Sequence, residues 1–177
     1  MRTLKICIIL SLLLFLYLSS SVLVSNILLH DSANGSFIKL NDKTIGLKHI
    51  GQQFSSNKYF HNRASAINYQ NNISGNSNFS FYSKRGELLV QLNHSKLNYK
   101  IKDLNIVTES ASGLDPHITL NGTLAQVERV ARARNLSTEK VNALVGATAK
   151  PRIFGLLGDK IINVLELNIK LDEINAR

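Results

Sequence analysis

Ile6-Cys-Ile-Ile-Leu-Ser-Leu-Leu-Leu-Phe-Leu-Tyr-Leu-Ser-Ser-Ser-Val-Leu-Val-Ser-Asn-Ile-Leu-Leu29 carries no charge. As a helix this run of about 24 residues is ~36 Å long, enough to cross a ~30 Å hydrocarbon core with some tilt. Arg2 and Lys5 precede it, and the first acid, Asp31, follows it. The positive-inside tendency places the N-terminus in the cytoplasm and the remainder outside. A cleaved signal peptide has an apolar core of only ~7–15 residues followed by a small-x-small site. Here apolar residues resume after Ser19-Ser20-Ser21, at Val22 to Val24 and Ile27 to Leu29. An uncleaved single-pass anchor over 6–29 is therefore expected, with a short cytoplasmic stretch at 1–5 and an extracytoplasmic domain at 30–177.

Cys7 is the only cysteine and lies inside the apolar run, so it is read as a small apolar residue. The outer domain holds no disulfide, and its length suffices to bury a core as one domain. Asn-x-Ser/Thr triplets begin at Asn34, Asn72, Asn78, Asn93, Asn121 and Asn135. In an Asn- and Ser-rich chain they carry little weight as glycosylation sites. Net charge is +9, of which Arg2 and Lys5 supply two. The basic residues are scattered rather than clustered with aromatics, so no nucleic-acid partner is expected. A basic domain is also no funnel for cations.

Along the outer domain, Ser36 to Leu40 reads as a short strand, and Asn57 to Tyr82 as a long loop of the kind that serves binding. Glu87 to Leu92 and Asn105 to Thr108 are strand-like. Leu124 to Arg134 is expected as one helix, with Leu124, Val127, Val130 and Ala131 on its apolar stripe. Ser137 caps a second helix with stripe Val141, Leu144 and Val145. Ile161 to Asp172 alternates and reads as a strand. The fold class is mixed α/β, a sheet with a helix pair packed on it behind one membrane helix.

No zinc spacing and no Gly-x-x-x-x-Gly-Lys-Ser/Thr phosphate loop occurs. Ser112, Asp115 and His117 are too close in sequence, with Pro116 between them, for a working triad. A turn is the simpler reading, with Asp115-Pro116 fixing direction and Gly113 at positive φ. That turn is also a candidate interaction surface. Ile73-Ser-Gly-Asn76 faintly resembles the Ser-Gly-rich signature of ABC-type ATPases.

Taken in order, several segments together resemble the KdpC family of the Kdp potassium-transporting ATPase. They are Ile50-Gly-Gln52 with Phe54, Tyr59-Phe60, Arg63-Ala-Ser-Ala66, Ser74-Gly75, Ser77-Asn78 and Ser110-Ala-Ser-Gly-Leu-Asp-Pro-His-Ile118. Gln126, Arg129-Val-Ala131, Ala133-Arg134, Asn163-Val-Leu165 and Leu167-Asn168 complete the set. Ala64, Asn76 and Asp159-Lys160 depart from the family's usual pattern. The resemblance implies a non-catalytic accessory subunit of an ATP-driven, high-affinity potassium importer in a bacterial inner membrane. Its implied partners are the channel-like subunit, the ATP-hydrolysing subunit and the small fourth subunit of the Kdp complex, with lipid around residues 6–29. It also implies a catalytic-chaperone role raising the ATP affinity of the ATP-hydrolysing subunit, with ATP as a suspected ligand at Ser74, Gly75 and Asn78. Gln52, Arg63, Ser112, Gly113, Asp115, His117, Gln126 and Arg129 are the implied interaction residues, and no metal is implied. The competing reading is a stand-alone anchored or secreted cell-envelope binding protein or hydrolase.

Overall fold

The computed structural model describes residues 2–40, 43–80, 82–97 and 104–175. The chain divides into two compact units, 1–47 and 48–177.

The first unit opens with α1, Arg2–Leu28, which is apolar all round and has no buried residue. A helix of this length and composition can cross a bilayer. Its polar side chains bond its own backbone. The Ser20, Ser21 and Ser25 hydroxyls donate to the carbonyls of Tyr17, Leu18 and Val22 at 2.8–2.9 Å, and the Asn26 amide donates to Val22 at 2.9 Å. Polar groups satisfied in this way suit an apolar solvent. The single turn α2, His30–Ala33, leads into a hairpin of β1, Phe37–Leu40, and β2, Lys43–Leu47, irregular between Ile38 and Lys39.

In the second unit the strands among the described residues are β3, His117–Thr119, and β4, Ile161–Asn163, paired antiparallel. Around this ribbon lie α5, Leu120–Leu124, α6, Val127–Arg134, α7, Thr138–Thr148, and α8, Val164–Asn175. Their core comprises Phe60, Ile118, Val127, Val130, Ala131, Val141, Val145, Ile162, Val164, Leu167 and Leu171. The Thr119 hydroxyl accepts from Gly122 N–H at 3.0 Å and caps α5, and the expected Ser137 cap accepts from Lys140 N–H at 3.2 Å. Asn135, left-handed at φ 55°, closes α6. The α7 stripe lies as expected, with Val141 and Val145 buried and Leu144 packed on the core.

Four expectations are corrected. Glu87–Leu92 is not a strand but lies within α3, Lys84–Leu97. The Ser83 hydroxyl accepts from Gly86 N–H at 3.0 Å and starts that helix, and Gly86, Leu89, Val90 and Asn93 share its inner face at helical spacing. Asn105–Thr108 falls in and just after a helical turn, α4, Leu104–Val107, whose Ile106 and Val107 pack with Val90. The expected 124–134 helix is interrupted at Ala125 and Gln126, and Leu124 turns outward, 41 % exposed. The long strand ends at Asn163. The Asn163 side chain accepts from Glu166 N–H at 3.1 Å, and α8 begins there. Val164, Leu167, Asn168 and Leu171 recur at i, i+3, i+4 and i+7 and are all buried, so the helical period prevails over the alternation. The sheet is thus a two-stranded ribbon, and the helices carry most of the core.

Candidate functional site

Residues 48–63 form no helix or strand, yet they are tightly held. Phe60 is completely buried and anchors the segment in the core. Asn168 from α8 meets it like a neighbouring strand: its side-chain oxygen accepts from Phe60 N–H at 2.9 Å and its amide donates to the Phe60 carbonyl at 3.0 Å. Gln126 does the same to the next residue, accepting from His61 N–H at 2.8 Å and donating to the His61 carbonyl at 3.1 Å. Two guanidinium groups take the carbonyls before them. Arg129 donates to Asn57 at 2.7 Å and Tyr59 at 3.0 Å, and Arg134 donates to Lys58 at 2.6 Å. Arg134 also pairs with Asp172 at 2.7 Å and lies over the Tyr59 ring at 4.7 Å. Asn163 holds the Lys48 carbonyl at 2.7 Å, and Asn62 bonds the Gln52 carbonyl at 2.8 Å. Gln126 and Arg129 therefore direct their polar atoms inward, onto this segment. Asn168, Arg134 and Asn163 belong with them, although no motif singled them out as site residues. Their signal was polar residues standing on otherwise apolar faces.

The segment 110–117 is the expected turn. Gly113 has φ +71°, and the Asp115 carboxylate accepts from His117 N–H at 3.0 Å. Gly51 packs against this turn. Its N–H donates to the Leu114 carbonyl at 2.7 Å, and a Cβ there would stand 2.6 Å from the Asp115 carbonyl oxygen. Arg63 approaches Asp115 at 3.5 Å and donates to the Thr108 hydroxyl at 3.2 Å and the Glu109 carbonyl at 3.0 Å. Tyr69 donates its hydroxyl to the Arg63 carbonyl, and burial pushes that phenol up to about 12. His117 is held below its ordinary value first by burial and then by Lys150, against the opposing pull of Asp115. His61 is lowered by burial and by Arg129.

The structure brings Ser74 and Gly75 onto the same turn. The Ser74 hydroxyl donates to the Ser112 carbonyl at 3.1 Å, and Gly75 N–H donates to the same oxygen at 3.0 Å. The Ser112 hydroxyl accepts from Leu114 N–H at 3.1 Å. Asn78 is exposed at φ 57°, its N–H bonded to the Asn76 side chain at 3.1 Å. Arg63, Asp115, His117, Ser112, Gly113, Ser74 and Gly75 thus form one connected polar region, with Gln52 at its edge and Asn78 beyond.

This region does not fit a triphosphate. Gly75 N–H and the Ser74 hydroxyl, the donors a phosphate would need, are bonded to Ser112. The neighbouring cavity has a volume of about 140 Å³, and its lining includes Asn76, Ser77, Thr108 and Glu109 but no lysine or arginine. Ligand pockets are typically ~300–1,000 Å³. Among the described residues no group of three or more His, Cys, Asp or Glu side chains could hold a metal ion.

The chain matches the family described as "K+-transporting ATPase, c chain" (KdpC) over residues 1–173. A potassium-transporting ATPase KdpC subunit of Gloeobacter violaceus is 39 % identical over 150 residues, covering 81 % of this chain and 79 % of the relative. KdpC subunits of Staphylococcus aureus strains MSSA476 and RF122 are 38 % and 36 % identical over 170 residues, covering 90 % of this chain and 89 % of each relative. With that match running through the apolar helix, the clamped segment and the 110–117 turn alike, this chain belongs to the KdpC family of potassium-transporting ATPases.

Proposed function

We propose that this chain is a non-catalytic accessory subunit of an ATP-driven potassium import complex. It sits in a bacterial inner membrane through α1, with its N-terminus in the cytoplasm and residues from about 30 onward outside. Its partners are the channel-like subunit, the ATP-hydrolysing subunit and the small fourth subunit of the complex, and its role is to complete and hold the assembled pump. The observation that carries this reading is the fixed polar surface made by residues 74–75 and 110–117 on the clamped 48–63 segment. A surface whose donors and acceptors already bond one another is pre-organised for docking and not for turnover. The geometry favours assembly over a direct ATP contact at Ser74, Gly75 and Asn78, because such a contact would first have to open both bonds to Ser112.

The test is purification of the tagged full chain from detergent. Two large membrane subunits should co-purify, and a reporter that works only outside the cytoplasm should be active when fused after Arg177. Purification of the chain alone would return the stand-alone envelope protein to first place. A cytoplasm-only reporter active at that position would reverse the topology and revive the ATP contact.

A further inference from the structure

Pro151 to Lys160 protrudes from the second unit with every residue exposed. Ile153 and Leu157 exchange both backbone hydrogen bonds at 3.0 Å, so the protrusion is a closed hairpin. Its tip is apolar: Ile153 is 65 %, Phe154 91 %, Leu156 81 % and Leu157 64 % exposed. Phe154 itself has φ +52°, a left-handed conformation that bulky residues rarely adopt. Gly155 and Gly158 follow at φ +75° and +77°, and a Cβ on either would meet nothing within 4 Å. Backbone conformation, not space, requires these glycines. The fold thus holds an aromatic ring and three aliphatic side chains in water, at some backbone cost, around a shaped turn. At the base stand Lys150, Arg152 and Lys160, against the single acid Asp159.

The geometry points to an interfacial membrane anchor: the Ile153–Leu157 tip enters the headgroup boundary of an anionic bilayer, and Lys150, Arg152 and Lys160 face the lipid phosphates. An apolar insertion with a cationic collar is the arrangement such anchoring requires. A protein partner is the weaker candidate, because a standard interface needs ~800 Å² on each side and four side chains fall short of it. Chain connectivity supports the bilayer. The second unit begins at residue 48, and α1 ends at Leu28, so a tether of about twenty residues keeps lipid at high local concentration. The inference rests on reading α1 as a membrane anchor.

The chain has no tryptophan, so F154W introduces a single indole at the tip. The full chain carrying F154W is reconstituted in vesicles of phosphatidylcholine with or without phosphatidylglycerol, brominated high on the acyl chains. N142W, on the exposed side of α7, is the control in the same domain. F154W emission should shift to the blue and be quenched several-fold more than N142W. The quenching should be stronger with phosphatidylglycerol and fall in the R152E/K160E background. Equal quenching of F154W and N142W, with the chain still retained after an alkaline wash, overturns the hairpin proposal and leaves the α1 anchor standing. Loss of the chain in that wash breaks the anchor reading. The released F154W chain is then titrated with fresh anionic vesicles, where a blue shift supports the hairpin and its absence overturns it. A shift seen only when the pump's other subunits are co-reconstituted makes the tip a protein contact and also overturns the proposal.

Discussion

Residues 48–63 and 151–160 both lie outside helices and strands, and they are opposites. The first is pinned at every carbonyl from Asn57 to His61 by side chains of α6 and α8 and of Gln126 just before α6, with Phe60 in the core. The second touches little but itself and exposes its apolar residues. Irregular backbone is therefore no measure of order. Buried backbone groups must be paired, and amide or guanidinium side chains can serve where no strand does. In 48–63 the polar side chains bring the backbone in. In 151–160 the backbone bends so that apolar side chains stay out.

Substitutions can break or sharpen that contrast. The largest effect is expected at Phe60→Ala, which should cost about 3–5 kcal/mol as a core cavity. Gln126→Leu and Asn168→Leu should each cost about 2–3 kcal/mol, because the backbone donor and acceptor of half-buried His61, or of buried Phe60, lose their partner. Urea unfolding of the full chain in detergent, followed by circular dichroism, measures all three. Losses under about 0.5 kcal/mol would mean the segment is not held as described.

Gly51→Ala comes next. Its Cβ would press on backbone at Asp115 rather than on a flexible side chain, so about 1–3 kcal/mol is expected. At Asp115 the acceptor matters more than the charge. Asp115→Ala should cost about 1 kcal/mol and Asp115→Asn little, because the Arg63 pair is partly solvated. Equal losses in both variants would make the charge the decisive feature.

Acidification probes the clamped segment through His61 and the 110–117 turn through His117. His61 and His117 both have folded pKa values below their ordinary 6.5, so the unfolded chain binds more protons between the folded and unfolded values. Stability should be full above about 6.5 and be lost as pH falls through the lowered values. His61→Asn should flatten that dependence in urea midpoints measured across the range. An unchanged slope would mean that His61 does not carry it. The smallest effect is expected across the hairpin, where Leu156→Ser should stay within about 0.5 kcal/mol, as at a typical surface position. A larger loss there would show that the tip supports the fold.

How much of this was legible in the sequence differs from element to element. The apolar helix, the Ser137 cap, the long loop and the Gly113 turn could each be read locally. Ile161–Asp172 misled because Leu167 and Leu171, four apart, satisfy both a period of two and a period near 3.6. The Asn163 cap, which breaks that tie, only shows once the chain has folded. Glu87–Leu92 misled for lack of weight on Ser83 as a helix start. The geometry of the candidate region was not legible. Nothing local says that Ser74 meets Ser112, 38 positions away, or that Gln126 bonds His61, 65 away.

Those separations carry a consequence for how the domain is made. Phe60 is held by Asn168, 108 positions later, and Lys58 by Arg134, 76 later. During synthesis the 48–63 segment emerges before all of its fasteners, which follow between Gln126 and Asn168. Contacts this distant in sequence form slowly. Phe60 must therefore wait without its Asn168 partner until α8 has been delivered. A nascent chain stopped before Val164 would hold all of residues 48–63 and none of the latch from α8.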